Sequence, residues 1–170
     1  MRSVPYVTVD VFTRERFGGN PLAVVTDGRG LTDDEMQALA AEFNYSETTF
    51  VLPPDDPAHT ARVRIFNRTY EMPFAGHPNV GTAFVLAGMG RDRAGVLVFE
   101  EQAGIVEVQV ERDAASTVVG ATIAAPQPLS VGAELPVDLV APCAELDVAD
   151  IVVSFAPSSN RVGWRDVRHG

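Results

Sequence analysis

Apolar and polar positions divide the first part of the chain into seven predicted strands. Residues 7–12 and 61–66 alternate between apolar and polar side chains, which is typical of strands with one exposed face. Runs rich in β-branched and aromatic residues, bounded by glycine, proline or aspartate, indicate the other strands. In chain order, the predicted strands are residues 7–12, 22–26, 47–52, 61–66, 95–100, 104–111 and 118–124.

Two helices are predicted between these strands. Thr32 and Glu35 have the spacing of a capping box, and apolar residues at helical spacing follow them, so residues 32–43 are predicted to form a surface helix. Residues 80–87 are apolar on nearly every side, which predicts a buried helix. The combined pattern favours the α+β class, with a curved mixed or antiparallel sheet wrapped around this central buried helix.

Two prolines after the last predicted strand suggest a boundary between two regions. Pro126 and Pro128 lie in the sequence Ala-Pro-Gln-Pro, which is typical of a stiff linker. We therefore expect a first lobe in residues 1–125 and a second region in residues 126–170. The second region contains apolar segments at 137–140 and 151–154, whereas its end, residues 157–170, is polar and aperiodic and is expected to be poorly ordered.

The composition excludes several classes of function. The formal net charge is −10, and the 13 basic residues, all of them arginine, are scattered, which argues against a nucleic-acid partner. Because the chain contains no lysine, chemistry that needs a lysine amine is excluded. The single cysteine, Cys143, excludes an internal disulfide and a pair of opposed catalytic thiols.

Features of metal binding, membrane insertion and export are also missing from the sequence. His59, His77 and His169 lie far apart and lack the spacing of metal ligands, so no metal is expected. No apolar run approaches the roughly 20 residues that span a bilayer, and no signal-peptide pattern precedes the first predicted strand. We therefore expect a cytoplasmic protein without a membrane partner.

The first candidate for chemistry is the glutamate of Asn-Tyr-Ser-Glu-Thr-Thr, residues 44–49. Glu47 lies where polar residues give way to an apolar strand, so one side of its carboxylate is expected to be desolvated. Burial raises a carboxyl pKa toward the range that is useful for general acid–base catalysis. The alternative is that Glu47 only solvates the end of a strand, and on residue type alone this alternative is the commoner one.

The second candidate is the segment at residues 71–82, which contains Gly-His-Pro directly before the buried helix. Gly76 allows a ligand to approach the backbone closely, and the free N–H groups at the helix start suit a carboxylate or phosphate. His77 at this position is a candidate hydrogen-bond donor or acid–base group. The alternative, a helix start with a structurally satisfied histidine, is at least as common.

Four motifs, in this order and spacing, resemble the PhzF (phenazine biosynthesis-like) family. They are Val-Asp-Val-Phe at 9–12, Gly-Asn-Pro-Leu-Ala-Val-Val at 19–25, residues 44–51, and residues 65–83 with their Glu-Met-Pro-Phe-Ala-Gly-His-Pro core. The resemblance covers residues 3–125 and extends more faintly to about residue 153. It implies the fold of diaminopimelate epimerase, in which two similar lobes, each a curved sheet around a central helix, enclose the active site between them.

For this sequence, the resemblance implies a cofactor-independent, metal-free isomerase that acts by proton transfer on a small carboxylate-bearing metabolite. Glu47 takes the role of the proton-transferring group, and Ser46 lies beside it. Gly76 and His77 match substrate-contacting positions, and Asn20 matches the family's Gly-Asn-Pro turn near the cleft.

One residue and one region depart from the family pattern. Position 75 is alanine, where the epimerases have a catalytic cysteine, so epimerisation by two thiols is not supported. Residues 126–170 resemble only an incomplete start of the second lobe, which in the family supplies an acidic partner and a glycine-rich anion site. Two hypotheses follow: an isomerase completed by a homodimer or by a second-lobe polypeptide, or a truncated, non-catalytic remnant that binds a small molecule or a protein.

Overall fold

Eight strands and two long helices form the larger of two units in the computed structural model, which describes residues 3–126 and 135–150. The chain divides into residues 1–128 and residues 129–170. The lobe boundary expected after residue 125 stays a prediction. In chain order, the elements of the larger unit are β1 (Tyr6–Val11), β2 (Asn20–Val25), α1 (Asp33–Phe43), β3 (Glu47–Leu52), β4 (Ala61–Phe66), β5 (Glu71–Met72), α2 (Gly76–Gly88), β6 (Val96–Glu101), β7 (Gly104–Arg112) and β8 (Val118–Ile123).

The eight strands of the described residues join one mixed sheet. Its order is β1-β2-β3-β4-β6-β7-β8, and the two-residue β5 pairs with β4. The pairs β2–β3 and β4–β6 run parallel, whereas the remaining neighbours run antiparallel. β2 and β3 are buried along most of their length because both faces of the sheet are covered there. This arrangement confirms the predicted α+β class with a mixed sheet.

Helix α2 lies against the inner face of the sheet and is largely buried, as its apolar sequence predicts. It contacts β1, β2 and β3 toward one edge of the sheet and β7 and β8 toward the other, so the sheet curls around it. Gly81 allows this close packing, because a Cβ there would lie 2.6 Å from Leu22 Cδ2 and 2.8 Å from Val11 Cγ2. The inner core includes Val24, Val51, Ile65, Leu86, Leu97 and Phe99.

Helix α1 covers the outer face of the sheet. The predicted capping box is present, because the Glu35 amide donates to Thr32 Oγ1 at 3.2 Å and the Thr32 amide donates to Glu35 Oε2 at 2.8 Å. The helix buries one apolar stripe, whereas its other face is exposed to solvent. The outer core comprises Val25, Met36, Ala40, Phe50, Leu52 and Phe66.

Three features differ from the sequence-based expectations. Helix α2 begins at Gly76 rather than at residue 80, because Pro78 falls in the first turn, where its missing N–H costs no helical hydrogen bond. The sequence did not predict β5, since two residues carry no periodic signal. β1 is more exposed than its alternation indicates, because it is an edge strand; Val7 is 42% exposed, and only Val11 is fully buried.

The smaller unit is described for residues 135–150. It contains the short helix α3 (Val137–Val140), followed by 3-10 segments at Ala141–Ala144 and Val148–Asp150. The apolar segment expected at 137–140 therefore forms a single helical turn. The segment expected at 151–154 and the tail expected at 157–170 lie outside the described residues. Within the described part of the chain, no helix has the length and apolar character needed to cross a lipid bilayer.

Candidate active site

Glu47 is the first residue of β3, at the junction that the sequence indicates. Helix α1 ends at Phe43, and the left-handed backbone of its C-cap residue Asn44 (φ 56°) reverses the chain and brings it into β3 after two residues. In the sheet, Glu47 lies opposite Leu22 of the parallel strand β2. The Glu47 side chain is only 16% exposed. The five residues of β3 that follow it are buried.

Asn20 and Ser46 join the starts of β2 and β3. The Ser46 hydroxyl donates a hydrogen bond to Asn20 Oδ1 at 2.9 Å. Asn20 belongs to a Gly-Asn-Pro turn, in which Gly19 passes very close to β1. A Cβ at Gly19 would lie 2.4 Å from the Val11 carbonyl oxygen, so no larger residue fits there without a backbone shift. The turn therefore holds Asn20 in place against Ser46, the residue before Glu47.

His77 is the second residue of α2, and its side chain is 8% exposed. Its Nδ1 atom lies 3.2 Å from Glu47 Oε2. Gly76, directly before it, faces open space, because a Cβ at this position would have no heavy atom within 4 Å. Protein packing therefore does not require glycine at position 76, and its absent side chain leaves the backbone beside His77 accessible.

Burial controls the protonation of the His77 ring. Desolvation lowers the pKa of His77 below its usual 6.5, and the Glu47 carboxylate and the Pro21 carbonyl oppose this effect only in part. The imidazole is therefore neutral at neutral pH. A neutral imidazole has one nitrogen that donates a hydrogen bond and one that accepts.

The contact between Glu47 and His77 leaves both groups with unused hydrogen-bonding capacity. Glu47 Oε2 and His77 Nε2 are buried, and neither has a hydrogen-bond partner of good geometry. Thr48 Oγ1, on the next residue of β3, is also buried without a partner. Buried polar atoms of this kind are costly in a folded protein unless a ligand or water satisfies them. A polar ligand or an ordered water molecule would satisfy these atoms.

The structure brings the five predicted site residues together at the common start of β2, β3 and α2. Ser46 contacts Asn20, His77 contacts Glu47, and Gly76 adjoins His77 in the chain. Their positions agree with a shared site, while the role of each residue in catalysis or binding stays a prediction.

Sequence reasoning missed two buried polar residues close to this site. Asn79, in the first turns of α2, is fully buried, and its Nδ2 donates to the Ala75 carbonyl at 3.0 Å. Glu101, the last residue of β6, has both carboxyl oxygens buried without a hydrogen-bond partner. A polar residue inside an otherwise apolar helix is a signal that could have singled out Asn79, whereas Glu101 stands in a polar turn that offers no such signal.

One groove of the described residues lies away from Glu47 and His77. It has a volume of about 560 Å³ and is lined by β1, the segment after it, α2 and β8. Phe84 of α2, 41% exposed, forms part of its wall. Among residues 3–126 and 135–150, no group of three or more His, Cys, Asp or Glu side chains is placed to hold a metal ion.

The described lobe has an epimerase-like fold, in which a mixed sheet curls around a buried helix. At the start of this helix, a carboxylate and an imidazole are in contact. Among solved structures, a probable proline racemase from Agrobacterium radiobacter shares this fold with a TM-score of 0.51 at 14% identity, over 68% of this chain and 39% of that chain. At this identity, the similarity concerns the fold alone.

The chain belongs to the phenazine biosynthesis-like (PhzC-PhzF) family, whose sequence pattern matches residues 9–148. A PhzF-family protein from Bacillus anthracis has a TM-score of 0.61 at 34% identity, over 68% of this chain and 38% of that chain. A predicted epimerase from Pseudomonas aeruginosa has a TM-score of 0.67 at 30% identity, over 87% of this chain and 52% of that chain. The family and the fold that the four motifs imply are thus confirmed.

Several curated relatives are named as isomerases. An uncharacterized isomerase of Mesorhizobium japonicum is 52% identical over 136 residues, which are 79% of this chain and 45% of the relative. The trans-2,3-dihydro-3-hydroxyanthranilate isomerase of Pseudomonas aeruginosa is 45% identical over 108 residues, which are 63% of this chain and 37% of the relative. The chain therefore spans less than half the length of these relatives.

Proposed function

We propose that this chain supplies one lobe of an isomerase active site, in which Glu47 transfers a proton on a small carboxylate-bearing metabolite. The main support is the buried contact of 3.2 Å between Glu47 Oε2 and His77 Nδ1. The similarity to relatives that are named as isomerases agrees with this chemistry. Moving a proton between two carbons of one molecule needs an acid–base group and positioned hydrogen bonds, so the proposal includes no cofactor and no metal.

In this proposal, the Glu47 carboxylate removes a proton from one carbon of the substrate and returns it to another. The neutral His77 ring holds the carboxylate on one side and offers its second nitrogen to the substrate. The start of α2 suits the carboxylate of the substrate, because its first turn contains no acidic residue and its N-cap, Ala75, has no capping side chain. The open side of Gly76 gives the substrate access to these backbone N–H groups.

We further propose that a second lobe completes the site, supplied by a second-lobe polypeptide or by another copy of the chain. The curated relatives are more than twice as long as the part that this chain matches. Within the described residues, β1 and β8 form the two edges of the sheet, and these edges and the exposed Phe84 also offer a surface that a partner would cover. A cytoplasmic location is part of the same proposal, and cell fractionation tests it.

Incorporation of solvent deuterium tests the proton transfer. We would incubate the chain in D2O with trans-2,3-dihydro-3-hydroxyanthranilate, alone and with the half of the Mesorhizobium relative that this chain does not match. Mass spectrometry then follows the deuterium content of the substrate and of any isomer. Glu42→Gln is the matched control for Glu47→Gln, because Glu42 is an exposed carboxylate on α1. We expect incorporation by the wild type and by Glu42→Gln, but not by Glu47→Gln.

A non-catalytic binding module is the second candidate function. The observation that favours it is the 560 Å³ groove, which lies away from Glu47 and exposes Phe84. This candidate predicts that Glu47→Gln changes no measurable property, whereas Phe84→Ser abolishes self-association or partner binding. Sedimentation equilibrium on both variants separates the two candidates. A monomer at every concentration, with no partner bound, would count against the binding module.

A further inference from the structure

A buried hydrogen bond between two threonines joins the strand and the helix that carry the candidate site. Thr49 lies on β3, two residues after Glu47. Thr82 lies on α2, five residues after His77. The hydroxyl oxygens of the two threonines are 2.8 Å apart, and neither residue is exposed to solvent. Each of these buried polar groups is therefore satisfied by the other.

The threonine pair lies on the side of the sheet that faces α2. Side chains two residues apart on a strand point to the same face, so Thr49 shares the face of Glu47 and of the inner-core residue Val51. From Glu47 to Thr49, the strand advances by about 6.6 Å. From His77 to Thr82, the helix advances by about 7.5 Å. Because these distances are similar, the contact of Glu47 with His77 and the threonine bond are consecutive links between β3 and α2.

The core around the pair is apolar and places few directional restraints on α2. The inner core contains side chains such as Val51, Leu86 and Leu97, and their burial is favourable in any orientation that excludes water. A hydrogen bond between two hydroxyl groups, in contrast, weakens outside a narrow range of distances and angles. The threonine bond therefore restrains the position of α2 along β3 in a way that the apolar contacts do not.

The stability of the fold does not require hydroxyl groups at these two positions. Two facing apolar side chains of the same shape leave no buried polar group unpaired, and such a replacement can be nearly neutral for stability. A site that transfers a proton has a stricter requirement, since its groups must be held within about 0.5 Å of their productive positions. The contact of 3.2 Å between Glu47 Oε2 and His77 Nδ1 joins the same two elements as the threonine bond. Fixing α2 against β3 thus fixes this contact.

We propose that the hydrogen bond between Thr49 and Thr82 positions the candidate site, because it fixes α2 along β3. Both threonines are thus positioning residues, which hold His77 against Glu47 and, being fully buried, do not touch the substrate. Without the bond, α2 remains packed on the sheet, but the distance between Glu47 Oε2 and His77 Nδ1 is no longer held at 3.2 Å. The relevance of this restraint to catalysis rests on the proposed function, whereas the restraint itself is measurable without turnover.

The pKa of His77 reports on the contact that the threonine bond restrains. Burial lowers this pKa below its usual 6.5, and the nearby Glu47 carboxylate opposes the decrease. A longer or more variable distance to Glu47 weakens this opposition, so the pKa falls further. An NMR titration of the His77 ring in the full chain measures the change. Glu47→Gln provides the reference value for a site in which the carboxylate charge is absent.

Valine variants separate positioning from a general effect on the fold. Thr49→Val and Thr82→Val each leave one buried hydroxyl without its partner, so both should lower the melting temperature. In the double variant, no hydroxyl is left unpaired, and the melting temperature should return most of the way to the wild-type value. We expect the His77 pKa, in contrast, to shift toward the Glu47→Gln value in all three variants. A purely structural pair would restore the melting temperature and the His77 pKa together.

Thr82→Ser and Thr122→Val are the matched controls. Thr82→Ser keeps the hydroxyl group, and Thr122→Val removes an exposed hydroxyl from β8, so both should retain the wild-type pKa of His77. A double valine variant with the wild-type pKa overturns the proposal. A Thr82→Ser variant whose His77 pKa decreases as much as that of Thr82→Val overturns it as well. If the single valine variants do not fold, the double variant and Thr82→Ser give the same decision.

Turnover provides a second measurement once the proposed proton transfer has been observed. In the deuterium assay, the double valine variant should be about tenfold to a hundredfold slower than the wild type, because its acid–base group is misplaced. A wild-type rate overturns the proposal. Absence of incorporation by the wild type contradicts the proposed function but leaves the His77 titration unaffected. Failure of this inference and failure of the proposed function are therefore distinguishable.

Discussion

Replacement of Glu101 by glutamine should remove a large pH dependence of stability. The pKa of Glu101 is about 7 in the folded chain, against an ordinary 4.5. The folded state therefore binds the proton more tightly than the unfolded state does. Because the pKa is raised, the stabilising contribution is fully present below pH 4.5 and is lost as the pH rises through 7.

The size of this effect follows from the difference between the two pKa values. Each pKa unit corresponds to about 1.36 kcal/mol, so a difference of about 2.5 units between folded and unfolded chain corresponds to about 3 kcal/mol. Other carboxyl groups act in the opposite direction. The pKa values of Asp33 and Glu100 are lowered by their partners, so their contributions are lost on acidification. Comparing the wild type with Glu101→Gln cancels these contributions.

Urea denaturation between pH 5 and pH 8 measures the difference. We expect the wild type to lose about 2.5 kcal/mol more of its free energy of unfolding across this range than Glu101→Gln does, and to be the less stable of the two at pH 8. Parallel stability curves for the two proteins would refute the burial of an uncompensated carboxyl group at position 101.

Three further predictions test a helix cap and the surroundings of two glycines. Thr32→Ala removes half of the capping box of α1 and should lower the free energy of unfolding by about 1 kcal/mol in urea denaturation; an unchanged midpoint would contradict the observed cap. Gly19→Ala places a Cβ 2.4 Å from the Val11 carbonyl oxygen and should cost about 2 kcal/mol or more, seen as a lower melting temperature. Gly76→Ala meets no atom within 4 Å, so stability should stay within about 1 kcal/mol of the wild type, while substrate binding, measured by calorimetry, should weaken. Equal melting temperatures for the two glycine variants would show that their surroundings do not differ as described.

Most of the secondary structure was predictable because its signals are local. The capping box of α1 depends on two residues that are three positions apart, and β3 follows directly from a β-branched and aromatic run. The start of α2 was harder to predict, because Gly-His-Pro has the composition of a turn. Pro78 is compatible with the first turn of a helix, however, and the buried position of the segment extends α2 back to Gly76.

The candidate site was predictable only where motifs marked its residues. Glu47 and His77 are 30 residues apart in the chain, and their contact depends on the packing of α2 against the sheet. The family resemblance placed both in one site, although no periodicity indicates their distance. Glu101 was missed because Glu-Glu-Gln before a turn is typical of a solvated surface. Its burial arises from tertiary packing near Asn79, which the local sequence does not encode.

The proposed function depends most directly on the rate of deuterium incorporation from solvent into substrate. This rate is measured for the chain together with its second lobe and is compared between wild type and Glu47→Gln. Loss of a general acid–base group typically costs about a hundredfold to ten-thousandfold in rate. We predict a decrease of this size for Glu47→Gln, with Glu42→Gln unaffected. A Glu47→Gln protein that incorporates deuterium at nearly the wild-type rate would contradict the assignment of proton transfer to Glu47.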